Sequence, residues 1–219
     1  QAWGLPAGVV VAGGAGDNAA SAVGMGVVRA GDGFVSLGTS GVIFLATDAF
    51  RPAPAQAVHA FAHALPGRWH QMSVMLSAAS ALAWATRATG HSSEAALLAQ
   101  AAQLTPVRRA QAPLFLPYLS GERTPHNNAH ASASLTGLRQ EHDAADIGYA
   151  VIEGVSFGLM DGFAAMRGET PLASELALVG GGARSDLWAQ LLASGLGHRL
   201  RRHEGAYAAA AVGAARLGW

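Results

Sequence analysis

The spacing of apolar residues along this chain changes period several times, and each change marks an element. Val9–Ala12 is a short β-branched run that reads as a buried strand. Asp17–Ala30 then carries Val23, Val27 and Val28 at helical spacing, and Gly31–Gly33 breaks the pattern. Phe34–Leu37 and Val42–Ala46 read as two strands joined by the tight Gly38-Thr39-Ser40-Gly41 turn. Ala57–His63 and Trp69–Met75 flank Pro66-Gly67 and predict a second hairpin. Ser77–Thr89 and Ser93–Gln103 predict helices, the second capped by Ser92, and Leu114–Leu116 a short strand. Pro117–Thr136 reads as a loop whose length predicts function or a contact with another domain.

Farther on, Ala144–Arg167 predicts a long helix, with Ile147, Val151, Val155, Leu159, Phe163 and Met166 on one face. Leu176–Val179 predicts a strand running into Gly180-Gly181-Gly182, followed by a helix over Ser185–Leu196. His198–His203 predicts an edge strand and Ala206–Leu217 a helix of small residues. Hairpins first, then strands alternating with helices, predict an α/β layered domain with a mixed sheet flanked by helices.

Composition narrows the function. A chain with 51% hydrophobic and 13% charged residues can bury an ample core. With 14 basic residues against 14 acidic ones and no basic patch, neither nucleic acid nor an anionic membrane is expected as the main partner. No uninterrupted apolar run reaches the ~18 residues of a membrane span, and no signal peptide is visible. The absence of cysteine excludes disulfides and thiolate zinc sites and fits a cytoplasmic enzyme. Every basic residue is Arg. Schiff-base chemistry and a Walker-type phosphate lysine are therefore excluded, and a phosphate site must rely on backbone N–H groups, hydroxyls, Arg or metal.

Three Gly-rich segments are candidates for such a site. VVVAGGAGDNAA delivers Asp17 through a glycine turn to a helix start, where free N–H groups and a positive dipole end face a ligand. The competing reading is an ordinary junction with Asp17 or Asn18 as N-cap. SLGTSGV places Thr39 and Ser40 at a hairpin tip, as a phosphate nest or a plain turn. LALVGGGARSDLW is a strand, three glycines and a helix, where a base or ribose can lie on bare backbone or where the elements merely pack closely. The nine histidines show no HExxH pattern; His126 and His130 lie in a Pro-containing loop, and His59 and His63 share a strand face, so satisfied or exposed rings are expected. The Trp and Met residues read as core, Arg108-Arg109 as a solvated pair, and Glu153 as a semi-buried carboxylate.

Six segments, GGAGDNAASAVGMG, VSLGTSGV, HALPGRWHQMSVMLSAASAL, FLPYLSGERTPHN, EGVSFGLMDG and VGGGARSDLWAQ, occur in the order seen in the FGGY carbohydrate kinases, and the chain resembles that family over nearly its whole length. The resemblance implies two actin-like, RNase-H-type lobes around a cleft, and transfer of the γ-phosphoryl of ATP to a sugar hydroxyl with Mg²⁺. Residues 1–30 then match the last strand and helix of an N-terminal lobe, and residues 31–219 the C-terminal, nucleotide-binding lobe. By resemblance Asp17 is the catalytic base and touches the sugar. Gly38, Thr39 and Ser40 form a phosphate loop, and Gly181, Gly182 and Ala183 hold the adenosine. The PYLSGERTPHN loop is most similar to members that phosphorylate D-xylulose to D-xylulose 5-phosphate. Gluconate, glycerol or another ketose stay open as substrates, as does a non-catalytic nucleotide-binding remnant. Asn128 stands where the family pattern has Asp, and ASASLTGL departs from its Arg-Gly pattern. The family's first phosphate loop and most of its sugar contacts have no counterpart here, which implies that this chain is inactive alone. The leading strand would also lack its own sheet, predicting a segment that is mobile or that pairs with a second copy in a homodimer.

Overall fold

The computed structural model describes residues 4, 6–9, 14–166, 168, 171–203 and 205–219. In chain order its elements are α1 (Asp17–Met25), β1 (Gly33–Leu37), β2 (Gly41–Thr47), β3 (His59–Ala62), β4 (Trp69–Met75), α2 (Ala79–Ala88), α3 (Glu94–Ala102) and α4 (Pro106–Ala110). Then follow β5 (Leu114–Leu116), β6 (Ser134–Thr136), α5 (Ala144–Met166), β7 (Glu175–Val179), α6 (Asp186–Leu196), β8 (Arg199–Arg202) and α7 (Ala209–Gly218). The main sheet has the order β3-β4-β2-β1-β7-β8. β1 to β4 pair antiparallel, whereas β1–β7 and β7–β8 are parallel. This is the expected mixed sheet.

Strand alternation splits the core in two. Val35, Leu37, Ile43, Leu45, Leu176 and Leu178 point to one face and pack with Val151, Val155 and Leu159 of α5 and Trp188 and Leu192 of α6. Phe34, Phe44, Ala46 and Ala177 point to the other face, where Ala22 and Met25 of α1, Val27 and Ala209 of α7 cover them. α5 is long and apolar enough, by length and composition, to cross a bilayer; 67% of its most apolar window is buried in the fold, as in the core helix of a globular protein.

The second face bears on the helix of the leading segment. α1 docks on α7 of the same chain. A Cβ on Gly24 would stand 1.9 Å from the Ala209 carbonyl oxygen, and one on Gly213 1.8 Å from that of Ala20, so the helix backbones touch. Arg216 donates to the carbonyls of Val23 and Gly24 at 2.9 and 3.1 Å, placing a cation at the negative end of α1. The helix stops at Met25 because Gly26 turns left-handed, at φ 78°, before the periodicity of Val27 and Val28 can extend it. Of the strand expected over Val9–Ala12, residues 10–12 lie outside the described residues, and Val9 is exposed.

Other differences are local. The cap of α3 is Ser93, accepting from Ala96 N at 3.2 Å, rather than Ser92. The stretch Pro117–Thr136 ends in β6, paired with β5. Arg108 and Arg109 are not a solvated pair. Asp146, in the first turn of α5, is fully buried, and a buried carboxylate needs a partner. Arg108 supplies a fork, Nε to Oδ1 at 3.0 Å and a terminal nitrogen to Oδ2 at 2.6 Å, and also reaches Asp143. Burial alone would raise the Asp146 carboxyl; the Arg108 fork and the Asp143 N–H hold it below its ordinary value. Arg109 lies over the Tyr149 ring and donates to the Ala102 carbonyl.

His70 stacks on Phe44 at 4.4 Å, with His63 edge-on to both rings. Burial pushes the His70 imidazole down to about 4, the neighbouring His63 adding to it. Burial also lowers His63, against the Val27 carbonyl that faces its Nε2. Both rings are neutral in the fold, and a free imidazole titrates near ~6.5. The unfolded chain therefore binds more protons below that pH, and stability falls as pH drops from ~6.5 to ~4. Melting curves at pH 7 and pH 5 read this loss. In His70→Phe, which keeps the stack, the drop in melting temperature shrinks; an unchanged pH profile overturns the assignment.

Candidate functional site

The β1–β2 hairpin ends in Gly38, Thr39 and Ser40, with Thr39 exposed. The tip turns its carbonyls toward the start of α2. Gly38 O accepts from Ala79 N at 2.8 Å, and Thr39 O accepts from Ala78 N at 3.0 Å and from the Ser80 hydroxyl at 2.8 Å. α2 has no side-chain N-cap; these carbonyls satisfy its orphan N–H groups instead. Among the described residues the N–H groups of Gly38, Thr39 and Ser40 donate to no backbone acceptor, which leaves them for a ligand.

The triple glycine stands beside this tip because β7 pairs parallel with β1, Ser36 opposite Val179. Its glycines do different things. Gly180 has φ 92°, and a Cβ there would lie 2.5 Å from the Leu37 carbonyl and 2.8 Å from Gly38 N, so only glycine lets the loops meet. Gly182 is buried against Trp188 and Leu37, and Ala183 is buried too. Gly181 is exposed, and a Cβ on it would meet nothing within 4 Å. Of the three residues matched to an adenosine site, only Gly181 offers open backbone. Ser185 then caps α6, accepting from Trp188 N at 3.2 Å.

Two cavities flank this turn. One, of about 480 Å³, is the more polar of the two and is lined by Ser36, Gly180 and Gly181, by Asn18 and Ser21 of α1, and by Arg202, His203 and Tyr207. The other, of about 570 Å³, is mostly apolar and lies between Ala79 and Leu82 of α2, Ala95 and Leu98 of α3, and Gly181, Gly182 and Leu187. Gly181 and Arg184 line both.

Asp17 is the first residue of α1 and is exposed; the cap position is Gly16, so neither Asp17 nor Asn18 caps the helix. Asp17 Oδ1 accepts from the Asn18 backbone N–H at 2.8 Å and its side-chain amide at 3.2 Å. Asn18 lines the polar cavity, whereas Asp17 stands one residue before it. Glu153 lines neither cavity. The Tyr149 hydroxyl donates to it at 3.0 Å; burial raises its carboxyl and, with Glu153 beside it, pushes the Tyr149 hydroxyl up to about 12.

The PYLSGERTPHN loop is built around Glu122, which is buried. Its Oε1 accepts from Leu76 N at 3.0 Å and from Arg123 N at 2.6 Å, and burial raises the carboxyl. Thr124 bonds β4 through Val74. Asn128 closes a turn with the Glu122 backbone and accepts from His130 N at 2.9 Å. His126 accepts from or donates to the Tyr118 hydroxyl at 3.0 Å. No group of three metal-ligating side chains occurs among the described residues.

Known proteins show the family of this fold. The model of the FGGY family of carbohydrate kinases, C-terminal domain, matches residues 33–219. The Xylulose kinase of Escherichia coli strain K12 is 49% identical over 217 residues, which are 99% of this chain and 44% of that protein. The crystal structure of a "xyloylose kinase" from Brucella ovis superposes with a TM-score of 0.90 at 48% identity, over 99% of this chain and 44% of its own. That of the xylulose kinase from Rhodospirillum rubrum gives 0.82 at 30% identity, over 98% and 43%. The chain thus spans less than half the length of these relatives.

Proposed function

Because this chain belongs to the FGGY family of carbohydrate kinases and shares its actin-like, RNase-H-type fold, we propose that it supplies the nucleotide-binding lobe for ATP-dependent phosphorylation of D-xylulose in the cytoplasm. One observation carries this reading: the Gly38–Ser40 tip and the Gly180–Ala183 turn touch, with a more polar cavity on one side and a more apolar one on the other. The apolar cavity suits a base, Gly181 the ribose and α-phosphate that cross it, and the tip's free N–H groups the outer phosphates. The relatives' names support the sugar, together with the PYLSGERTPHN loop. The lobe begins near Gly31, and the family match from Gly33 supports that boundary.

In this reading Asp17 accepts the proton of the attacking sugar hydroxyl. Asn18 holds Oδ1 and so aims the carboxylate, leaving Oδ2 for that proton. Phosphoryl transfer needs little beyond positioning and charge stabilisation, which N–H groups fixed by the hairpin fold provide without reorganising. Mg²⁺ bound to ATP neutralises phosphate charge in such reactions. A Mg²⁺ ion arriving with the nucleotide would be held mainly by the phosphates and water, and no step here depends on it.

The test is calorimetric titration of this chain with ATP, together with an ADP-release assay. The chain alone is expected to bind ATP without sugar-dependent turnover; turnover at ordinary kinase rates of about 1–100 s⁻¹ overturns that. Gly181→Val is expected to weaken ATP binding and leave the fold intact, since its side chain enters open space on the cavity wall rather than the core. Equal ATP affinity in both proteins removes Gly181 from the site.

A further inference from the structure

We propose that Arg184 reads the phosphate nearest the ribose of the bound nucleotide; this rests on the nucleotide reading above. Arg184 ends the short turn Gly181–Arg184 and is exposed. Among the described residues it is the only charged side chain that lines both cavities. A nucleotide with its base in the apolar cavity and its outer phosphates at the Gly38–Ser40 tip must pass Gly181, and Arg184 stands at that crossing.

Its guanidinium is uncommitted. Among the described residues it makes no ion pair and no hydrogen bond. Arg202, the other arginine on these walls, is already paired: it donates to the Ala183 carbonyl and to Asp186 Oδ1, the latter at 2.6 Å. Those bonds hold the turn against β8 and the start of α6. The chain has no lysine, so any side-chain cation of its own that meets phosphate must be Arg or a protonated His. A guanidinium can bond phosphate through two parallel N–H groups. The backbone that carries it is also fixed, Ala183 N bonding Gly180 O at 3.2 Å and Ser185 N bonding Gly182 O at 3.1 Å. The side chain therefore starts from a rigid base on the correct edge of the turn.

Calorimetry with ADP and with adenosine, at low and at high salt, tests this on the whole chain and on Arg184→Ala and Arg184→Lys. Arg184→Ala is expected to weaken ADP about ten- to hundredfold, the range for a hydrogen bond to a charged group. It is also expected to flatten the salt dependence of ADP binding, and to leave adenosine affinity and the melting temperature unchanged. Arg184→Lys should recover part of the loss. ADP affinity equal to wild type in Arg184→Ala overturns the proposal, and so does an equal loss of adenosine, which would make Arg184 a contact to the base or ribose. If the wild-type chain binds neither ADP nor adenosine, the nucleotide reading itself fails, a result distinct from either.

Discussion

Asp17→Asn is expected to lower kcat about 10²–10⁴-fold, the usual worth of a positioned general base, while the KM for ATP moves little. The protein to use is a chimera joining this chain to the N-terminal portion of the Escherichia coli xylulose kinase. The amide keeps the size of the side chain and can still meet Asn18, but it cannot accept the hydroxyl proton in the same way. Since Gly16 holds the cap position and, among the described residues, the Asp17 side chain bonds only Asn18, little of the loss can come from unfolding α1. Equal melting temperatures of the two proteins would confirm that. A kcat within twofold of the parent chimera would reduce Asp17 to a residue at a helix start and remove the proposed mechanism.

The second large effect concerns stability. Gly213→Val is expected to cost about 3 kcal/mol or more, beyond the usual range for overpacking, because the atom it strikes is a backbone oxygen that cannot rotate away. The added Cβ would lie 1.8 Å from Ala20 O and 3.0 Å from Gly24 N. Gly213→Ala sharpens the test by its sign. Helix propensity alone favours Ala over Gly by ~1 kcal/mol, whereas the contact with α1 makes the change destabilising. Gly218→Ala, in the same helix with nothing within 4 Å, is the control and should be neutral or better. Urea midpoints measured with an unchanged slope decide it. A stabilising Gly213→Ala would mean that α1 does not rest on α7.

These two variants mark the limit of what could be read from residues in line. The β1–β2 hairpin, α5 and the strand-glycine-helix junction announce themselves by local pattern, and the structure has all three where they are expected. β6 and α4 leave no such pattern: Ser134–Thr136 carries a single apolar residue, unlike Leu114–Leu116, and α4 spans only five residues. The partner of Arg108 lies 38 residues away in α5, and no neighbouring residue hints at it. The division of labour among Gly180, Gly181 and Gly182 follows from their distances to Leu37 and Trp188, which exist only once β7 lies beside β1. The docking of α1 is of the same kind, since Gly24 and Gly213 meet from opposite ends of the chain. Arg184 left one faint signal in the sequence, a lone cation following a glycine run at a strand end in a chain without lysine.

The hydrogen bonds between the hairpin tip and α2 have one more effect. The carbonyls of Gly38 and Thr39 hold the first turn of α2, and Ala79 and Leu82 of that helix form a wall of the apolar cavity. On the nucleotide reading proposed above, one rigid joint would serve both ends of the ligand. Drawing the tip toward phosphate pulls on the surface that meets the base, and filling the apolar cavity steadies the tip. The two halves of the ligand are then not independent tenants: their binding energies, measured as fragments, should not add up to that of the intact molecule.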